Sequence, residues 1–167
     1  MNPTRVLVAY GSKHGATAGI ADEIGQTLRA DGLDAVVLPA DTVTDVSGYD
    51  GVVLGGALYA GRWNGKASRC ARRNADQLRD RPLWLFSSGP VDSSAEQDAI
   101  PPAPGVARRM KKLGAREHIT FGGAVTAETP GRIARSLVRH GKGGDFRNPA
   151  RIQEWAHHIG SELGSTR

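Results

Sequence analysis

Two apolar patterns take turns along this chain: short β-branched runs and longer stripes of helical period. Val6-Leu7-Val8-Ala9-Tyr10 predicts a first strand over about residues 4–10. Ile20, Ile24 and Leu28 then share one face of a helix over about 16–31, which Asp31-Gly32 closes. Leu33 to Leu38 predicts a second strand ended by Pro39, and Tyr49 to Leu54 a third. The third is almost wholly apolar, as suits a parallel strand covered on both faces. A helix over about 64–80 turns Ala67, Cys70, Ala71 and Leu78 inward. Leu83-Trp84-Leu85-Phe86 predicts the fourth strand. A loop with three prolines over 91–104, a short helix over about 105–113 and a fifth strand from His118 to Val125 follow. Asn148-Pro149 opens the last helix with a capping residue and a proline at its first position, and Ile152, Trp155, Ile159 and Leu163 form its buried stripe.

Strand and helix in regular alternation predict an α/β fold: a doubly wound, five-stranded parallel sheet in three layers, with strand order 2-1-3-4-5. Residues 1–167 read as one domain with no repeats, and residues 126–148 form a long insert before the last helix. In such sheets a ligand lies beyond the carboxyl ends of the strands. Those ends are the loops after Tyr10, Leu54 and Phe86.

The first loop is Gly11-Ser12-Lys13-His14-Gly15, and the helix starts at Ala16-Thr17. A helix start presents free backbone N–H groups, and a phosphate is their usual occupant. Gly11 and Gly15 are separated by three residues and no Gly-Lys-Ser/Thr follows, so this is not a nucleotide P-loop. Lys13 stands where the dinucleotide fingerprint needs its second glycine. The loop suits one terminal phosphate, held by the hydroxyls of Ser12 and Thr17 and the amides of 13–17, although a Gly-Ser loop also serves as a plain turn. The second loop, Gly55-Gly56-Ala57-Leu58-Tyr59-Ala60-Gly61, admits a flat ligand, and Tyr59 offers a stacking face. Trp63 beyond it reads more readily as a hydrophobic cap. Ser87-Ser88-Gly89-Pro90 is small and polar and has no aromatic.

Tyr10-Gly11-Ser12-Lys13-His14-Gly15-Ala16-Thr17 resembles the phosphate loop of the flavodoxins, Ser/Thr-x-Thr-Gly-Asn-Thr. Ser12, Gly15 and Thr17 match; His14 and Ala16 depart from it. The departures resemble the menaquinone-dependent protoporphyrinogen dehydrogenases and their flavodoxin-domain relatives. Gly-Gly-Ala-x-Tyr and Phe-Ser-Ser-Gly-Pro, the insert at 126–148, and Gly143-Gly144-Asp145-Phe146-Arg147 before Ile152 and Trp155 resemble that branch too. The resemblance implies a flavodoxin-like fold that binds flavin mononucleotide (FMN). Ser12, Thr17 and the amides of Lys13, His14, Gly15 and Ala16 would hold the phosphate. Ala57, Leu58, Tyr59, Ala60, Gly61, Ser87, Ser88 and Gly89 would hold the ring. It also implies an oxidoreductase passing electrons through the flavin from a protoporphyrinogen-like donor to a quinone-type acceptor. A substrate-free electron carrier and a flavin-free interaction module are the alternatives.

Composition bounds this picture. Hydrophobic residues are 39% and charged residues 23%, ordinary for one globular domain. No apolar run approaches the ~20 residues of a membrane span. The start leads straight into a strand, so no signal peptide is expected, and the lone Cys70 fits a reducing, cytoplasmic setting. Net charge is +5, split into −4 over residues 1–61 (three Lys/Arg, seven Asp/Glu) and +9 over 62–167 (nineteen against ten). The basic residues cluster at Arg62–Arg81, Arg108–Arg116 and Arg132–Arg151. Such asymmetry suits a solvated helical face or peripheral contact with the inner face of a membrane. With 5% aromatics and none interleaved with the basic runs, no nucleic-acid partner is expected. No Cys/His set has zinc spacing, and the neighbours His157 and His158 point apart on a helix, so no metal is read from spacing. No catalytic side chain is named; a flavin carries its own chemistry.

Overall fold

The computed structural model describes residues 3–12, 15–59, 62–89, 101–122, 124–125, 144–145 and 148–165. In chain order the elements are β1 (Arg5–Gly11), α1 (Ala16–Ala30), β2 (Asp34–Pro39), a 3-10 turn at Ala40–Thr42, β3 (Gly51–Tyr59), β4 (Arg62–Trp63), α2 (Gly65–Arg73), α3 (Ala75–Arg79), β5 (Leu83–Ser88), α4 (Pro104–Leu113), β6 (Glu117–Phe121), β7 (Ala124–Val125), β8 (Gly144–Asp145) and α5 (Pro149–Ser165). The main sheet runs β2-β1-β3-β5-β6, every neighbour parallel. Since β5 and β6 are its fourth and fifth strands, this is the order 2-1-3-4-5 that the alternation predicts.

Side-chain alternation explains the three layers. Val6 and Val8 point to one face of β1 and Leu7 and Ala9 to the other, and all four are fully buried. The first pair packs with Ile20, Ile24 and Leu28 of α1 and with Trp155 and Ile159 of α5. The second packs with Ala67, Cys70 and Ala71 of α2 and with Val106 and Leu113 of α4. Phe86, Phe121 and Trp155 meet edge-on, with ring centroids 5.7–6.3 Å apart, the arrangement aromatic quadrupoles favour.

Three boundaries differ from the sequence reading, each for a local reason. The helix expected over 64–80 breaks at Asn74. That side chain is buried and donates from Nδ2 to the carbonyls of Val43 (3.2 Å) and Cys70 (3.0 Å), competing with the helical backbone. β3 continues through Gly55 and Gly56 to Tyr59, because both glycines stay in register with Phe86 and Ser87 of β5. The expected strand from His118 to Val125 splits after Phe121. β7 then pairs antiparallel with β8, Ala124 against Asp145 and Val125 against Gly144. The two ends of the insert are thereby joined, while residues 126–143 lie outside the described residues.

Candidate functional site

The parallel register brings three strand ends side by side. Gly11 of β1 lies opposite Gly56 of β3, and Ala57 lies opposite Ser88 of β5. A Cβ on Gly89 would sit 3.2 Å from Thr120 and 3.5 Å from Leu58. The second and third loops are therefore in contact. Ser12, Gly15, Ala16, Thr17, Ala57, Leu58, Ser87, Ser88 and Gly89 are all described and stand at this edge of the sheet. Lys13, His14, Ala60 and Gly61 lie outside the described residues, and of Tyr59 only the backbone is described.

At the first loop the Gly15 amide donates to Ser12 Oγ at 2.9 Å, which folds the loop back on itself. Gly15 precedes α1 in the left-handed region, with φ 87°. Among the described residues no side chain caps that helix, and its first turn carries no acidic residue, so its leading amides are left for an anion. Thr17 is fully buried; its hydroxyl lies 2.7 Å from Ser88 Oγ. This bond ties the helix start to the third loop, and a hydroxyl so paired can still make a further hydrogen bond.

The glycines of the second loop have a packing role. A Cβ on Gly55 would fall 1.9 Å from the Phe86 ring, and one on Gly56 would fall 2.7 Å from Trp63 Nε1. Gly11 is equally confined, by Asn64 Oδ1 at 2.6 Å and the Ala67 amide at 2.7 Å. Trp63 is buried and donates from Nε1 to the Phe86 carbonyl at 3.3 Å, so it is part of the core. Asn64 caps α2 by accepting from the Lys66 amide at 2.8 Å.

Ser87, also fully buried, has its Oγ 2.8 Å from Nε2 of His118 on β6. Burial holds the His118 imidazole down to a pKa of about 4, so it is neutral at pH 7. The Thr120 hydroxyl is buried without a hydrogen-bond partner among the described residues, and it is the Thr120 methyl that lies nearest Gly89. Sequence reading passed over His118 and Thr120. The available signal was two polar residues at alternate positions of an otherwise apolar strand.

Basic residues flank the first loop. A shallow cleft is lined by Ser12, Asn64, Gly65, Lys66 and Arg69. α2 and α4 together hold Lys66, Arg69, Arg72, Arg73, Arg108, Arg109, Lys111 and Lys112, and no acidic residue. Burial, and then the neighbouring Arg72 and Arg108, draw the Arg109 pKa below the usual guanidinium range, which shows how closely these cations crowd. A larger cleft, lined by Thr44 and residues 72–77, touches none of the three loops. Cys70 is buried with its thiol pKa pushed up by desolvation, so it is held as the unreactive thiol. No described helix is long and apolar enough to cross a membrane.

Three small-residue loops at the carboxyl edge of a 2-1-3-4-5 sheet, the first opening an uncapped helix, define a mononucleotide-binding α/β domain. The chain belongs to the flavodoxin domain family, whose model matches residues 7–144. Its fold is similar to that of a flavodoxin from the domain Archaea, with 12% identity, TM-score 0.65 and 96% of this chain and 99% of that chain covered. Oxidised flavodoxin 2 from Bacillus cereus aligns with 19% identity and TM-score 0.60 over 98% of this chain and 100% of that one. A rubredoxin:oxygen oxidoreductase from Desulfovibrio gigas aligns with 11% identity and TM-score 0.63 over 98% of this chain but 37% of its own length.

Membership of this family indicates FMN as the cofactor. The residues fit it. Free amides with no acidic residue in the first helical turn suit a dianionic phosphate.

Proposed function

We propose that this flavodoxin-family domain is an FMN-dependent oxidoreductase that takes electrons from an organic, protoporphyrinogen-like donor and delivers them to a quinone-type acceptor. One observation carries the reading. The stretch from Ser87 to Ala103, which follows β5, contains no aromatic residue, so it has no ring to lay over the flavin. Only the second loop, with Tyr59, offers a stacking face. One side of the ring is then left for a flat organic molecule, where a carrier would cover both.

Ser12, Thr17 and the amides leading α1 would bind the phosphate. The backbone of 57–61 and of 87–89 would orient the ring edge, supported from below by Ser87 on His118 and by Ser88 on Thr17. When bound, the flavin supplies reversible one- and two-electron transfer. The basic α2–α4 face beside Ser12 favours an acidic donor such as a polycarboxylate. The same face supports the reading of a peripheral seat on an anionic membrane, where quinones reside.

The decisive measurement is steady-state turnover with purified, FMN-loaded protein, protoporphyrinogen as donor and a water-soluble menaquinone analogue as acceptor. Saturable donor oxidation that needs the quinone is expected. A yellow protein that turns over neither compound, with a very low semiquinone–hydroquinone potential, would identify an electron carrier instead.

A further inference from the structure

We propose that Glu117, His158 and Glu162 form a site for a first-row divalent cation, zinc being the committed ion, which fastens the last helix to the start of β6. The site is remote from the flavin loops. Glu117 begins β6, and parallel strands place their first residues at the edge opposite their last ones. His158 and Glu162 are four residues apart on α5, so they share one face of that helix.

The geometry is that of converging ligand atoms. One donor atom from each of the three residues lies within 4.8 Å of the other two. His158 Nε2 is 2.9 Å from Glu117 Oε1 and 3.8 Å from Glu162 Oε1. Tetrahedral zinc with bonds of 2.0–2.2 Å separates its ligands by about 3.4 Å, midway between these two distances. His158 Nε2 and Glu117 Oε1 are close enough to pair directly, so a bound cation would replace that ion pair rather than fill a gap.

The donor set also suits the ion. One imidazole nitrogen with two carboxylate oxygens matches zinc, cobalt or nickel better than calcium or magnesium, which prefer oxygen alone. The three side chains are 36–49% exposed, enough for an ion to enter and for water to complete its coordination. Two carboxylates balance the charge of the ion. Arg116 Nη1, 3.9 Å from Glu162 Oε2, is an opposing cation, and its guanidinium is also anchored over the Trp84 ring at 5.4 Å. It limits affinity and supplies a control. His157, next in sequence, turns away to pair with Asp31, so it is not a ligand and supplies a second control.

The test is calorimetric titration of metal-free, full-length, FMN-loaded protein with zinc chloride, alongside thermal melts with and without the ion. One saturating site and a higher Tm with zinc are expected. His158→Ala and Glu117→Gln each weaken binding by at least about tenfold, His157→Ala leaves it unchanged, and Arg116→Gln tightens it severalfold. Flavin content and the metal-free melting curve report whether each variant is folded. X-ray absorption of zinc-loaded wild-type protein gives a second readout, with one imidazole nitrogen among oxygens. Absence of saturable binding, binding indifferent to both His158→Ala and Glu117→Gln, or a zinc shell containing sulfur would each overturn the proposal.

Discussion

Single residues set the limits of this site, and two of them make opposite demands. Gly15 has open space where a Cβ would go, yet its φ of 87° is one that a side chain resists. Gly15→Ala is expected to lower stability by about 1–2 kcal/mol in urea unfolding, and to weaken FMN binding in a fluorescence titration because the helix amides shift. Gly55 has an ordinary backbone but no space, since Phe86 occupies it. Gly55→Ala should cost about 1–3 kcal/mol through overpacking. If it unfolds at the wild-type midpoint, the Phe86 ring has moved aside freely and the packing account is wrong. His118 links stability to pH. Its folded pKa of about 4 lies below the 6.5 of a free imidazole, so the unfolded chain binds the extra proton. Stability should therefore fall as pH drops from about 6.5 toward 4 and level off below. His118→Leu should flatten that segment of the curve; an unaltered slope would assign it to other groups. The sequence made the glycines visible as a loop signal. It could not show that Gly55 and Gly56 yield to Phe86 and Trp63, because those contacts cross between strands and loops that are far apart in the chain.

Among elements, α1 is held at its leading end by one hydroxyl pair. The Thr17–Ser88 bond joins helix to strand across 71 positions of sequence and is buried. Thr17→Val and Ser88→Ala should each cost about 1–2 kcal/mol, and a double-mutant cycle should show coupling of about 1 kcal/mol. Additive losses would mean that the hydroxyls act independently. The periodic elements were the legible part of the chain: β1, α1, α4 and α5 fall within a residue or two of the apolar pattern. Breaks governed by side-chain hydrogen bonds were not. Asn74 splits a helix by reaching the Val43 carbonyl, a partner thirty-one positions away that no local window contains. Likewise Ser12, Thr17 and Ser88 were readable as small and polar, whereas the pairing of Thr17 with Ser88 crosses from helix to strand and lies in no local window.

At the level of the whole molecule, charge and connectivity govern behaviour. The excess of cations beyond residue 61 should make the reaction with an anionic donor slow as ionic strength rises from about 50 to 200 mM, through KM rather than kcat. An unchanged KM would place the donor away from the α2–α4 face. The strand order was legible because parallel strands with helical crossovers permit few topologies. The ladder flanking the insert was not, because it joins Ala124 and Val125 to Gly144 and Asp145 across a long stretch of sequence. Val125 and Gly144 are direct partners in an antiparallel ladder, so the backbone leaves and re-enters the domain at one doorstep. Replacing what lies between those two residues with a tight turn is therefore expected to leave the parallel sheet folded, which a urea melt of the shortened chain checks. A scaffold closed at that point can take up new sequence there at little cost in chain entropy.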